Sequence, residues 1–250
     1  MIKNKGDIEG IRMSGKILSR ALLALKEKVV PGVRLSSLDE YARKFLKGEK
    51  AYPVFLNYRP EGAEKPYPAA ICTSVNEKVV HGIPNAYVVR EGDLLKIDIG
   101  VKYNGYVTDA AITVGVGSIS RVAKKLMEVT EQSLYRGIGV CVSGNTLGDI
   151  GNAIESFAKK NRFSVIRELT GHGVGFELHE EPTVYNFGKP GTGMKLREGM
   201  VLAIEPMIST GSPDIIQLPD ESYATSDGSL SAHFEHTVAI TENGTEILTK

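Results

Sequence analysis

The sequence predicts an α+β fold, a curved antiparallel β-sheet covered by helices and built from two related halves. Three observations carry that prediction. Residues 90 to 109 read as a β-hairpin, because alternating and β-branched runs flank Tyr103-Asn104-Gly105-Tyr106 and Asn-Gly is the strongest short turn signal. Amphipathic helical stretches come in pairs, each pair followed by strands. The residues repeat with this order: Ile8 and Ile11 recur as Ile119 and Val122, and Gly32, Leu35, Leu38, Ala42 and Phe45 as Gly144, Leu147, Ile150, Ile154 and Phe157. The run from Arg90-Glu91-Gly92 to Asp98 is answered by the run from Arg197-Glu198-Gly199 to Glu205. Apolar stripes look alike in any two helices, but two Arg-Glu-Gly segments closing on an acid at the same distance do not arise so easily. They argue for a single domain over 1–250, its halves at about 5–116 and 117–250 packed about a pseudo-two-fold.

In chain order, Asp7 is the expected N-cap of a first helix whose buried stripe is Ile8, Ile11, Gly15, Leu18, Leu22 and Leu25, ended by Pro31-Gly32. A second helix is expected from Ser36 or Ser37, burying Leu38, Tyr41, Ala42 and Phe45. Pro53, Pro60, Pro66 and Pro68 make 48–68 an irregular connection. A strand over 70–75 precedes the hairpin, helices follow over 119–138 and 147–160, and short strands are expected around 164–166, 200–205, 215–217 and 234–240. A two-residue hairpin loop pairs Asp98 with Ala111 and sets Asp109 diagonally across from Asp98 on the same face. Asp is depleted in mid-strand, so two of them together require something positive between them. Glu205, the repeat counterpart of Asp98, is expected to meet it near the axis on one concave surface.

Composition narrows the function classes. Thirty basic and thirty acidic residues cancel, so bulk charge gives no reason for nucleic-acid or membrane-surface binding. Cys72 and Cys141 make no disulfide framework, and neither a targeting segment nor a membrane-length apolar run is visible, so a cytoplasmic protein is expected.

Five acids and histidines stand where structure alone gives them little reason to be: Asp98, Asp109, His172, Glu205 and Glu235. Glu205 ends the apolar run 201–204 and Glu235 precedes the run 237–240. An unpaired buried carboxylate costs on the order of several kcal/mol, and several in one cleft raise one another's pKa unless cations neutralise them. Two divalent metals about 3.5–4 Å apart, with bridging carboxylates, are the usual solution. Oxygen-rich donors with one imidazole suit Mn, Fe, Co or Zn, and no His-Glu-x-x-His or Cys-x-x-Cys signature is present. His172 lies among Gly171, Gly173 and Gly175, which let the backbone turn sharply and bring the ring close to another group. A lone histidine is more often structural; its spacing to His179 strengthens the case for ligation. His81 sits between a strand end and Gly82-Ile83-Pro84, a location typical of working side chains. His233 shares a strand face with Glu235, while His236 points the other way and reads as structural.

Asn76-Glu77-x-x-x-His81-Gly82-Ile83-Pro84, the Asp98 and Asp109 pair, Gly171-His172-Gly173-x-Gly175-x-x-x-His179-Glu180-x-Pro182, Glu205-Pro206 and Ser229-Leu230-Ser231-Ala232-x-x-Glu235-His236-Thr237 together resemble the methionine aminopeptidases. The resemblance is to the short bacterial type I form, which shares a "pita-bread" fold with Xaa-Pro peptidases and creatinase, and it spans essentially the whole chain. It implies two divalent cations, drawn from Co, Mn, Fe, Zn or Ni: Asp98 on one, Asp109 and Glu235 bridging both, His172 and Glu205 completing the second. It also implies attack by a bridging water on the first peptide carbonyl, with Glu205 as proton acceptor. His179 would stabilise the tetrahedral oxygen, and His81 would act near the scissile nitrogen. The family removes the initiator methionine of nascent chains when the next residue is small; the ribosome is a candidate partner and a monomer is expected.

Tyr58, Tyr67, Cys72 and Leu178 are candidate walls for the methionine side chain, whose thioether suits an apolar, polarizable pocket. Here the sequence departs from the family. Leu178 stands where Phe is frequent, residues 59–65 look like an insertion, and a frequent Trp counts back to Glu221 in a chain without Trp. His233 stands where Gln is common. Two rivals remain: an Xaa-Pro peptidase, disfavoured because the chain starts directly at its first helix, and a non-catalytic binding module, disfavoured because every ligand position is filled.

Overall fold

The computed structural model describes residues 2–59 and 64–250. In chain order come α1 (Lys5–Lys28), α2 (Leu35–Gly48), β1 (Tyr52–Pro53), β2 (Cys72–Val75), β3 (Lys78–Val80), β4 (Leu94–Tyr103) and β5 (Tyr106–Gly115). They are followed by α3 (Arg121–Val140), α4 (Leu147–Lys160), β6 (Ser164–Val165), β7 (Gly171–Gly173), β8 (Glu180–Val184), β9 (Val201–Ile204) and β10 (Met207–Ser209). The last elements are β11 (Ile215–Gln217), β12 (Tyr223–Thr225), β13 (Ser231–His233), β14 (His236–Thr241) and β15 (Gly244–Ile247). Two larger antiparallel sheets carry the fold: β4 flanked by β1, β2 and β5, and a second in the order β15-β14-β9-β7-β8. Short three-stranded sheets, β13-β10-β6 and β11-β12-β3, complete the set. Helix α1 packs on β4 and β5, and α3 packs on α4. No helix among the described residues is long and apolar enough to cross a membrane.

The first helix starts earlier than its apolar stripe suggests. Asn4 is the N-cap, accepting from the backbone of Gly6 and Asp7, and Asp7 bonds back to the Asn4 N–H to close a capping box. Asp7 is therefore the third helical residue, not the cap. Strands β1, β7, β8, β10, β12, β13 and β15 fall outside the stretches expected as strands, and β1 lies within 48–68, expected to be irregular. The hairpin has the expected register: Asp98 faces Ala111, Asp109 faces Gly100, and Asn104 (φ 49°) and Gly105 (φ 87°) make the turn.

Cross-links between the two ends of the chain place the acids. Thr237 Oγ1 accepts from the Asp109 N–H at 3.0 Å and donates to the Asp109 carbonyl at 2.8 Å. Glu235 N–H donates to Ala111 O at 2.9 Å, and Thr113 Oγ1 accepts from His233 N–H while donating to His233 O. The Asn76 motif also has a structural reason. Asn76 (φ 55°) turns the chain between β2 and β3, its amide donates to Asp93, and its side-chain oxygen accepts from Leu94 N–H. Beneath it Lys96, fully buried in β4, reaches Asn76 O at 2.6 Å and both Ser231 O and Ser231 Oγ at 3.2 Å.

Candidate active site

A cleft of about 870 Å³ opens onto His81, Asp98, Asp109, His172, His179, Glu205 and Glu235. Asp98 and Asp109 come from the hairpin, His172 from β7, Glu205 from the end of β9 and Glu235 from the link between β13 and β14. Pairing sets their mutual positions: His172 lies opposite Ala203, and His236 opposite Ile204, so neighbours of three strands converge.

The His172 ring is oriented by its own strand. Its Nδ1 lies 2.9 Å from Gly173 O, so the neutral ring donates there and turns the Nε2 lone pair to Glu205 Oε1 at 3.5 Å and Asp109 Oδ2 at 4.0 Å. Burial lowers its pKa to about 3, which keeps it neutral. Gly171 and Gly173 serve close packing in a strand rather than a turn. A Cβ on Gly171 would stand 2.3 Å from Ala203 O, and one on Gly173 2.3 Å from Glu181 O; only Gly175, at φ 141°, needs glycine's backbone freedom. Glu205 turns its second oxygen to His233 Nε2 at 3.3 Å.

The carboxylates are short of partners. Asp98 Oδ1, Asp109 Oδ1 and Glu235 Oε1 are buried with no hydrogen-bond partner among the described residues. Burial, then the neighbouring carboxylates, raises Asp98 and Glu235 well above the usual range; burial and Asp109 do the same to Glu205, and burial takes Asp109 to about 7. Donor atoms of Asp109, His172 and Glu235 all lie within 4.8 Å of one another, as do those of Glu205, His233 and Glu235. Orphaned oxygens around a neutral imidazole are a donor set that fits divalent cations, and nothing else nearby satisfies them.

Around this floor, His179 presents Nδ1 to the Tyr58 hydroxyl at 2.7 Å, and its ring meets that of His172 edge-on with centroids 4.5 Å apart. The next residue, Glu180, pairs with buried Lys3 and accepts from the backbone of Phe176 and Glu177, which fixes the loop carrying His179. His81 sits at φ 61° beyond β3, its ring open to the cleft and against Tyr223, with centroids 5.7 Å apart. Tyr58, Tyr67, Cys72 and Leu178 all line the cleft. The Tyr67 hydroxyl is spent on Gly82 O and Ile71 O, so the ring is what it offers. Cys72 pairs across the sheet with Asp98, and burial pushes its thiol well up, which makes it wall rather than nucleophile. Residues 60–63 of the expected insertion lie outside the described residues; Glu64, Lys65 and Glu221 border the cleft. His236 bonds Thr249 away from it. Sequence reasoning missed Phe55, which sits in the stretch read as irregular, and the Tyr58–His179 contact, which no spacing signals.

The chain matches the model of metallopeptidase family M24 over residues 9–242. It is 47% identical to a methionine aminopeptidase of Clostridium perfringens, covering 100% of this chain and 98% of that one. Against methionine aminopeptidase 1 of Bacillus subtilis it is 45% identical over 96% of this chain and 95% of the relative. Its fold superposes on the methionine aminopeptidase of Rickettsia prowazekii with a TM-score of 0.96 at 39% identity, over 100% of this chain and 99% of that one. A prolidase from Pyrococcus furiosus is more distant, with a TM-score of 0.75 at 27% identity and 65% of its chain covered. The α+β pita-bread arrangement is thus the fold of the protein, and the chain belongs to metallopeptidase family M24, among its methionine aminopeptidases.

Proposed function

We propose that this enzyme removes the initiator methionine from nascent proteins and peptides, mainly when the second residue is small, using two divalent cations. The observation that carries the proposal is the set of three partnerless carboxylate oxygens around neutral His172, at the floor of a cleft walled by Phe55, Tyr58, Tyr67 and Leu178. Asp98, Asp109 and Glu235 would hold one ion, and Asp109, Glu235, His172 and Glu205 the other. When bound, such ions polarise a carbonyl and acidify water.

The chain's own residues supply the rest. Glu205, its donor atom grouped with those of His233 and Glu235, would accept the proton of the attacking water. With Nδ1 accepting from Tyr58, His179 carries its proton on Nε2, the tautomer needed to donate to the developing oxyanion. His81, kept neutral by the protein around it and by His179, lines the same cleft and would act near the scissile nitrogen. The apolar walls take the thioether of methionine.

The halves 5–116 and 117–250 are proposed as a duplication within one catalytic domain. In support, Gly32 N–H donates to Val89 O and Gly144 N–H to Leu196 O, each acceptor preceding an Arg-Glu-Gly segment. A cytoplasmic monomer meeting chains near the ribosome completes the proposal. Met-Ala-Ser should be cleaved after methionine and Ala-Pro-Ala left intact; cleavage of the second peptide alone would make the enzyme an Xaa-Pro peptidase.

A further inference from the structure

His233 has no role in the mechanism above, yet it is 1% exposed and neither ring nitrogen has a hydrogen-bond partner among the described residues. A buried imidazole N–H left unpaired is unfavourable, so a partner is to be expected. The backbone that carries the ring is fixed. Its backbone is clamped on both sides by Thr113 Oγ1, and its strand β13 is paired to β10 with His233 opposite Met207. In that fixed position Nε2 stands 3.3 Å from Glu205 Oε2, while the other Glu205 oxygen faces His172 Nε2 at 3.5 Å.

We propose that His233 is a positioning residue for Glu205: from 3.3 Å a small turn of the ring lets Nε2–H donate to Oε2, which keeps Oε1 turned to the His172 side. The proposal rests on the reading of Glu205 as metal ligand and proton acceptor. A carboxylate gripped on one oxygen cannot rotate to present the other, and fixing a ligand from behind is what orienting partners of metal sites do. A Gln side chain carries its own Nε2 donor at a similar reach along the chain, so imidazole and carboxamide can perform the same task, whereas an apolar residue of similar size cannot.

The test uses histidine-labelled, zinc-loaded protein and ¹⁵N NMR, with the His233 resonances identified by their loss in H233Q. Protonated Nε2 and unprotonated Nδ1 are expected. The opposite tautomer, or a zinc-bound Nε2, would overturn the proposal. In parallel, H233L should lower kcat on Met-Ala-Ser and weaken zinc binding by calorimetry, each by about 10–100-fold, with KM little altered. H233Q should restore most of both losses. Equal kcat and zinc affinity in H233L and H233Q would equally overturn it. Full activity in E205A would remove the underlying reading of Glu205 instead, and leave the tautomer of His233 as a separate result.

Discussion

Lys96 and Asp98 stand two residues apart on one face of β4; the Lys96 side chain is buried, and Asp98 borders the cleft with one carboxyl oxygen buried. Their surroundings differ completely. The Lys96 ammonium meets Asn76 O, Ser231 O and Ser231 Oγ; burial lowers its pKa to about 7, against the pull of the Glu77 and Asp93 carboxylates. Asp98 keeps an oxygen without any partner, and burial with Asp109 and Glu205 nearby drives its carboxyl well up. One charge is closed by the protein and joins the β2–β3 turn to β13. The other is left open. Closure marks a structural charge, and an opening of this kind marks a place for a ligand.

The contrast can be broken or sharpened by experiment. Asp98→Asn should cost about a thousand-fold in kcat, since a metal contributes several kcal/mol to the transition state. The same change should leave the metal-free protein no less stable, because it removes a repelled carboxyl; a thermal melt after chelation checks this. Lys96→Met should do the reverse in stability, lowering it by about 2–4 kcal/mol in urea unfolding, since several oxygens lose a donor together.

A smaller effect is the pH dependence of the metal's stabilisation. The site carboxyls have folded pKa values above their unfolded ones, so the metal-free chain binds more protons folded than unfolded. That contribution is fully present below about pH 4 and is lost as pH rises through about 7, the value for Asp109. Cation binding must displace those protons, so added divalent metal should raise Tm more at pH 8 than at pH 6. A gain that is larger at pH 6 would contradict the open-site picture. Smallest is Tyr58→Phe: losing the bond to His179 Nδ1 removes about 0.5–1.5 kcal/mol, a two- to tenfold fall in kcat.

How much of this was legible in the sequence follows from which forces are local. The hairpin register could be counted because Asn104-Gly105 fixes the turn and strand period does the rest. Helices α3 and α4 were visible through apolar spacing, whereas α1 began at a cap, Asn4, that lies outside its stripe. The acids were conspicuous because Asp and Glu are out of place beside apolar runs. Lys96 was not, although it lies two residues before Asp98, since a lysine in an alternating strand reads as solvent-facing until the Asn76 turn and Ser231 are brought over it. Contacts between remote segments, Tyr58 with His179 and His233 with Glu205, have no local signature and appear only with the fold.

The most direct test is a titration of chelated protein with Co(II), following bound ions per chain and cleavage of Met-Ala-Ser together. Activity is predicted to vanish on chelation and to return as ions fill the site, saturating at two per chain in the wild type. No divalent ion bound, with activity untouched by chelation, would contradict the proposal that the open carboxylates of β4 and its neighbours are a metal site.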